Sequence, residues 1–342
     1  MKVQFISLTQ EKIKLKTPFI TALREVYFAE FIRVRVMCDD GSLAYGEAPA
    51  TEAITGESLE TIEHDIKLIK EIFYEQSIEE VLSLLHKQTI GSSAKAALDI
   101  AFVTLLAQRQ NCSLQNYFGI TDIDPIKTDI TISLGSKEQM LIDAKEALRE
   151  RMDILKVKLG SNISHAIATT KLLCLELPQA KLLIDANQAW SLDETLEYIN
   201  ELYRHNIELI EQPVAAKEFE ALKRIRQKSY FKILADETVF SLEDMKKVIS
   251  EAAADMINIK VMKCGGVSKA QEMLEYAREK GVMCMLGSMI EGPYSINLTL
   301  YLAFSYRDVV KFIDLDSPLL YKELPGELDF NYDGAIISLK DQ

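Results

Sequence analysis

Several familiar signals are missing from the 342-residue sequence, and each absence closes a door. Its five cysteines, Cys38, Cys112, Cys174, Cys264 and Cys284, are odd in number and form no CxxC pair. That usage fits a reducing compartment and argues against a disulfide framework or a thiolate zinc site. No apolar run approaches the roughly 18 residues of a membrane span, and Met1-Lys-Val-Gln-Phe5 carries no signal-peptide core, so a cytoplasmic protein is expected. Positive charge is in deficit: 39 Lys and Arg against 52 Asp and Glu leave a net −13. Such a surface suits neither nucleic acid nor an anionic membrane, although a local site can oppose the global field. No glycine-rich phosphate loop follows an early strand, which weakens the case for a doubly wound nucleotide-binding sheet.

What is present is an ordinary globular composition, 48% hydrophobic and 27% charged, in a chain long enough for an elaborated barrel with a smaller unit. Residues 3–8 and 13–15 alternate as strands, and Pro18–Arg24, without a clear period, reads as a loop. Phe31–Met37 alternates well and returns through Asp39-Asp40-Gly41 into Ala44–Glu47, a hairpin. Ser58 with Leu59, Ile62, Ile66 and Ile69 gives a capped amphipathic helix. Ile78–Leu85 and the Ala- and Leu-rich Ser93–Ala107 give two more. Residues 1–120 thus form an α+β unit.

From Pro125 the texture changes to short apolar runs alternating with amphipathic stretches. The runs are Ile130–Ile132, Ile154–Val157, Leu182–Ile184, Leu209-Ile210, Ile233–Ala235, Met256–Ile259, Met283–Leu286 and Phe312-Ile313. Their polar ends recur at steps of 27, 26, 25, 24, 27 and 27 residues from Lys158 through Asp185, Glu211, Asp236, Lys260 and Gly287 to Asp314. Eight βα units of that length predict an α/β fold of the TIM-barrel type over residues 121–320. Ser317-Pro318 after the last strand predicts that the eighth helix is missing or replaced. Residues 321–342 are expected to return as a tail to the N-terminal unit.

In such barrels chemistry sits at the C-terminal strand ends. Those ends carry Thr131, the pair Lys156 and Lys158, then Asp185, Glu211, Asp236, Lys260, Ser288, and the pair Asp314 and Asp316. A single Asp after a strand is usually a helix cap. Three carboxylates ending three successive strands converge, and like charges there need a cation. With no Cys or His nearby, oxygen donors suit a hard ion, Mg²⁺ first and Mn²⁺ second. Lysine strands flank the carboxylate strands on both sides. The arrangement suits proton abstraction from carbon next to a carboxylate: the metal stabilises the enediolate and a neutral lysine takes the proton. Lys156, on the same strand face, and the dication both disfavour a charged Lys158. A purely structural network of these lysines and carboxylates is the alternative, but two opposed lysine strands exceed what neutralisation requires.

Lys156-Val-Lys158, Asp185-Ala-Asn-Gln188, Glu211-Gln-Pro213, Ala235-Asp-Glu237 and Asn258-Ile-Lys260 together resemble the enolase superfamily in its muconate-lactonizing-enzyme subgroup, and Gly46-Glu-Ala-Pro49 extends the likeness into the N-terminal unit. The resemblance implies a modified (β/α)7β barrel with an α+β capping domain. It implies Asp185, Glu211 and Asp236 as Mg²⁺ ligands and Lys158 with Lys260 as the acid/base pair, since enolase-superfamily sites use a Lys or His base with Mg²⁺. His64, His86, His165 and His205 fall outside strand ends, so a mandelate-racemase-like site is a poor match.

Within the two-lysine group the eighth strand discriminates. Asp314-Leu-Asp316 points two carboxylates the same way, and unneutralised they call for a substrate ammonium. The plainer reading is one helix cap and one solvated Asp. The DxD pair resembles that of dipeptide epimerases, which implies an Xaa-Yaa dipeptide whose C-terminal α-carbon is inverted by 1,1-proton transfer. By the same resemblance Thr131 and Lys156 contact substrate, Lys156 at its carboxylate, and Ser288, Met289 and Ile290 line the pocket. Arg24 has two readings: a partner for an acidic second side chain, as in an alanyl-glutamate epimerase of peptidoglycan recycling, or a salt bridge within the cap, for example to Glu52. Phe19, Ile20, Ile54 and Met289 equally suit hydrophobic dipeptides. The alternatives on this scaffold are o-succinylbenzoate synthase, N-acylamino acid racemase and muconate cycloisomerase. Family members are often homo-oligomers, which leaves oligomeric state open.

Overall fold

The structure, a computed structural model, describes residues 1–340. Three antiparallel strands open the chain: β1 (Val3–Ile20), β2 (Glu25–Cys38) and β3 (Leu43–Pro49). The expected hairpin is β2–β3, with Gly41 at φ 85° where the turn needs a left-handed residue. The first strand differs from expectation: the two short segments are one strand that continues to Ile20. Its pairing with β2 shifts between Lys14 and Phe19, which breaks the period that sequence reading relies on. Beyond the shift the strand end leans onto the barrel, where Leu134 N–H donates to the Ile20 carbonyl at 2.9 Å. Only residues 21–24 remain a turn.

The three helices expected in the cap form where their caps and stripes placed them. Ser58 and Thr61 exchange hydrogen bonds in a capping box ahead of the helix Leu59–Ile69, whose Ile62, Ile66 and Ile69 are buried. The helix Ser92–Arg109 is buried nearly all round, and its alanines let it lie directly on β3. A Cβ at Gly46 would sit 1.8 Å from the Ala97 carbonyl oxygen, so backbone meets backbone there. Gly46→Ala is therefore expected to lower stability by at least about 1–3 kcal/mol, the usual cost of overpacking. Urea unfolding checks this, and an unchanged midpoint would refute the close approach.

Two cap carboxylates fasten the cap to the barrel by capping barrel helices. Buried Glu47 pairs with Arg33 Nη2 at 2.8 Å and accepts from Tyr294 N–H at 2.8 Å, at the start of the helix Pro293–Ser305. Asp99 accepts from Ser268 N–H at 3.0 Å at the start of Val267–Lys280.

After the two-residue strand β4 (Ile126–Lys127) come eight parallel strands: β5 (Ile130–Ile132), β6 (Ile154–Lys158), β7 (Lys181–Asp185), β8 (Ile207–Glu211), β9 (Lys232–Ala235), β10 (Met256–Lys260), β11 (Cys284–Gly287) and β12 (Val310–Asp314). They are hydrogen bonded in chain order. A ladder does not join β12 to β5. The seam is held instead by Asp129 N–H donating to the Ile313 carbonyl at 2.9 Å and by Thr128 Oγ1, which donates to the same carbonyl at 3.1 Å and accepts from Leu315 N–H at 3.1 Å. Helices follow the first seven strands, and only Ser317–Leu320 follows the eighth, as the sequence predicted.

Side chains two apart on a strand share a face. Inside the barrel, Leu183, Leu209, Leu234, Met256, Met285 and Phe312, with Ile154 beside them, form an apolar plug separate from the main core. Two residues further along the same strands stand Lys156, Asp185, Glu211, Asp236, Asn258, Gly287 and Asp314. The polar layer therefore rests on the plug, and Lys158 and Lys260 lie one step higher.

The tail reaches the cap at two points and then pairs elsewhere. It touches the cap at Tyr321, which bridges to Leu15, and at Glu327, 3.7 Å from Arg33 Nη1. Its strands β13 (Phe330–Asp333) and β14 (Ile336–Leu339) then pair with β4 rather than with the N-terminal sheet. β4 offers an open edge, and Ile337, fully buried opposite Ile126, completes it.

Candidate active site

Nearly every buried charge of the polar layer has an opposite neighbour. Lys158 Nζ is 2.5 Å from Asp185 Oδ2, and Lys260 Nζ is 2.6 Å from Asp236 Oδ2. Lys156 Nζ lies 2.5 Å from Asp314, 2.8 Å from Glu211 Oε2 and 3.6 Å from Asp185. Burial works against the charged form of Lys156, but Asp314, Glu211 and Asp185 overcome it and hold the ammonium well above its ordinary pKa. Likewise burial opposes charge on Asp236, and Lys260 and Lys263 outweigh it, keeping that carboxyl below the usual range.

Lys156 is fully buried and sits behind the residues that line the cavity. One expectation changes here. Asp314 is not unneutralised, because Lys156 is its counter-ion. Asp316 does lack a lysine: it accepts from Thr131 N–H at 2.7 Å, and burial with the neighbouring Asp314 pushes it up to about 6.

Three residues of the layer escaped sequence reading. Lys263, one helical turn after Lys260, donates to Asp236 Oδ1 at 2.6 Å and to the Asn258 carbonyl at 2.9 Å. Glu237 is buried with both oxygens unpartnered, and burial with Asp236 pushes it up to about 8. Asp129, buried at the barrel seam, also has two unpartnered oxygens. The i, i+3 spacing of Lys260 and Lys263 was a usable signal. A carboxylate placed by a strand seam leaves none.

The donors suited to a metal are all oxygen. Glu211 accepts from Asn258 Nδ2 at 2.7 Å through Oε1, while its Oε2 faces Lys156 Nζ at 2.8 Å. Burial, then Asp185, pushes Glu211 up to about 7. A buried carboxylate so destabilised, between Asp185 and Asp236 on the adjacent strands, fits a hard cation. Among the described residues, the carboxylate oxygens that come within 4.8 Å of one another are those of Asp129, Asp314 and Asp316. The predicted triad does not close to that distance while lysines are drawn into it.

One cavity lies over the layer. Lys158, Lys260, Thr131, Ser288, Met289, Ile290, Asp314 and Asp316 line it from the barrel, and Phe19, Arg24 and Ile54 from the cap. Phe19 stands over Lys158, its ring centroid 5.9 Å from Nζ. Ile20 lies instead in a neighbouring groove. Arg24 is half-buried, has no carboxylate partner, and donates only to the Ala50 carbonyl at 3.4 Å, so the salt bridge within the cap does not form. Burial lowers Arg24 to about 10, which still leaves it charged at neutral pH.

Comparison with known proteins follows the same outline. Residues 4–119 match the N-terminal domain of the mandelate racemase / muconate lactonizing enzyme family, and residues 139–341 match the enolase C-terminal domain-like family. An L-amino acid-D/L-Glu epimerase of Sulfurimonas denitrificans is 56% identical over 338 residues, covering 98% of this chain and 99% of its own. A substrate-liganded complex of the L-Ala-D/L-Glu epimerase of Bacillus subtilis superposes with a TM-score of 0.93 at 35% identity, covering 99% and 97% of the two chains. The dipeptide epimerase of Enterococcus faecalis, complexed with Mg and L-Leu-L-Tyr, gives 0.92 at 29% identity, covering 100% and 98%. The barrel and its cap are thus shared across whole chains, and this chain belongs to the enolase superfamily, in its mandelate racemase and muconate lactonizing enzyme group.

Proposed function

We propose that the protein is a Mg²⁺-dependent dipeptide epimerase, an isomerase that inverts the α-carbon of the C-terminal residue of an Xaa-Yaa dipeptide with an acidic Yaa. The observation that carries this reading is a single cavity with two lysines from opposed strands, a carboxylate without a cation, Asp316, and a guanidinium without an anion, Arg24. A zwitterionic substrate with one extra carboxylate supplies what each lacks. N-acyl or succinyl substrates, which are anions without an ammonium group, would leave Asp316 facing no cation. The Sulfurimonas denitrificans and Bacillus subtilis epimerases named above, whose names carry D/L-Glu, support the same choice, whereas the Enterococcus faecalis enzyme holds L-Leu-L-Tyr.

In this reading Lys158 and Lys260 face the reacting carbon from opposite sides. One Nζ takes the α-proton and the other delivers a proton to the opposite face. Asp314 and Asp316 hold the free amine, with Thr131 fixing Asp316. Arg24 takes the second side-chain carboxylate, and Met289 and Ile290 close the pocket. Asp185, Glu211 and Asp236 would hold Mg²⁺, which supplies the positive charge that the substrate's doubly negative enediolate requires. Asp129, Asp314 and Asp316 are the less suitable set for the ion, because they lie outside the strands that the two lysines flank. Lys156 keeps Asp314 ionised and in place. Five free cysteines and the cell-wall chemistry of acidic dipeptides support a cytoplasmic role in recycling peptidoglycan fragments.

Incubation of an L,L-dipeptide library with the protein and Mg²⁺ in D₂O is expected to place deuterium at the C-terminal α-carbon, fastest with Glu there, and to stop with a chelator. No exchange across the library would reject the proposal, and fastest exchange with apolar second residues would redirect it to hydrophobic dipeptides. Calorimetry gives the matching metal test. Glu211→Gln is expected to weaken Mg²⁺ binding at least about tenfold, the lower range for altering a metal's surroundings.

A further inference from the structure

Asp129 plays no part in the function proposed above, yet it is the most unusual carboxylate of the seam. It is 1% exposed, and neither oxygen accepts a hydrogen bond. Its backbone is stapled to β12 through Ile313, which fixes where the side chain emerges. That side chain lies near Asp314 and Asp316, with one carboxylate oxygen of each of the three inside 4.8 Å of the others. Asp314 and Asp316 line the cavity and Asp129 does not.

The charges around it are few. Asp314 and Asp316 face it from the end of β12, Lys156 from β6, and Glu211 more remotely from β8. Lys156 is the leading cation acting on it, and Asp314, Glu211 and Asp185 already share that lysine. Asp316 has one backbone donor, from Thr131. Nothing donates to Asp129. Ionised, it would add a third negative charge with no donor in a dry place, against two like neighbours. Protonated, it becomes a donor with carboxylate oxygens close at hand.

We propose that Asp129 is a positioning residue of the amine receptor: it stands behind Asp314 and Asp316 as a neutral carboxylic acid whose O–H is shared with that pair and holds their oxygens toward the cavity. The inference rests on the function proposed above, which assigns the pair to a substrate ammonium. Burial, together with Asp314 and Asp316, raises the Asp129 carboxyl well above its ordinary pKa, consistent with the neutral acid. Of the pair that lines the cavity, Asp316 is then the carboxylate without a lysine. That charge matches a single ammonium group and disfavours a dication at the same spot.

The test has two independent arms. Difference infrared spectroscopy at pH 7 between wild type and Asp129→Asn is expected to show one protonated-carboxyl stretch that the variant lacks. In kinetics, Asp129→Leu is expected to raise KM for a free-amine dipeptide about tenfold with kcat little moved, the low end of what an unpaired buried group costs. Asp129→Asn keeps an N–H donor and is expected to recover most of that loss. Absence of the infrared band, or an Asn variant as impaired as the Leu variant, overturns the proposal. If the Leu variant does not fold, the infrared difference decides. If wild type epimerises no dipeptide, the function proposed above fails while the infrared arm still judges Asp129.

Discussion

Lys158→Met is expected to abolish epimerisation while leaving one half of the exchange reaction. The two lysines stand on β6 and β10, with the carboxylate strands β7, β8 and β9 between them. Each reaches the cavity from its own side, so each faces one stereoisomer of the substrate. Without Lys158 the α-proton facing it has no acceptor, and inversion falls by about 10³-fold, within the range of positioned acid–base catalysis. Lys260 can still remove the proton of the other epimer and return a solvent deuteron to the same face. The signature is deuterium incorporation with retention from one epimer and none from the other. Lys260→Met is expected to show the mirror pattern. Exchange lost equally from both epimers in both variants would mean that the lysines act together on binding and not separately as bases. Mg²⁺ must be present, because removing Lys158 also strips Asp185 of the partner 2.5 Å away. Orphaning a buried charge costs about 3–5 kcal/mol, enough to confuse inactivity with unfolding. A melting curve in Mg²⁺ separates the two.

The ring of strand ends was legible because two regularities coincide. The step between Lys158, Asp185, Glu211, Asp236 and Lys260 follows from the length of one βα unit, and the inward direction follows from period two along each strand. What sequence spacing does not carry is which charge pairs with which. Asp314 and Asp316 look equivalent in a DxD, yet Lys156, 158 residues earlier in the chain, reaches Asp314 and not Asp316. Lys156 and Lys158 look like a matched pair, yet the lower one is swallowed by the layer and the upper one opens to the cavity. Asp129 carries no motif at all, because the seam between β5 and β12 is closed by loop-end contacts and not by a ladder. The cap strand β1 was cut short for a related reason: its end packs on the barrel, and a strand that changes partners loses its alternation.

Arg24→Met is expected to separate function from stability. The guanidinium sits half-buried in the cavity wall with no carboxylate partner, and burial lowers its pKa to about 10. A charge held this way is a cost to the folded protein that substrate relieves. Replacing it with an apolar side chain of similar length should leave the melting temperature unchanged or raise it. Turnover of an alanyl-glutamate dipeptide should fall about 10²-fold in kcat/KM, as expected for losing hydrogen bonds to a charged partner. Phe19, Ile54 and Met289 already furnish the same cavity, so the variant should gain on dipeptides with an apolar second residue. The ratio of the two kcat/KM values is the measurement, and it is insensitive to the fraction of active protein. A uniform loss on both substrates would make Arg24 a structural part of the cap turn, and a lowered melting temperature would point the same way. If the ratio inverts at undiminished stability, Arg24 is the residue that selects an acidic second side chain, at the expense of a buried charge in the empty site.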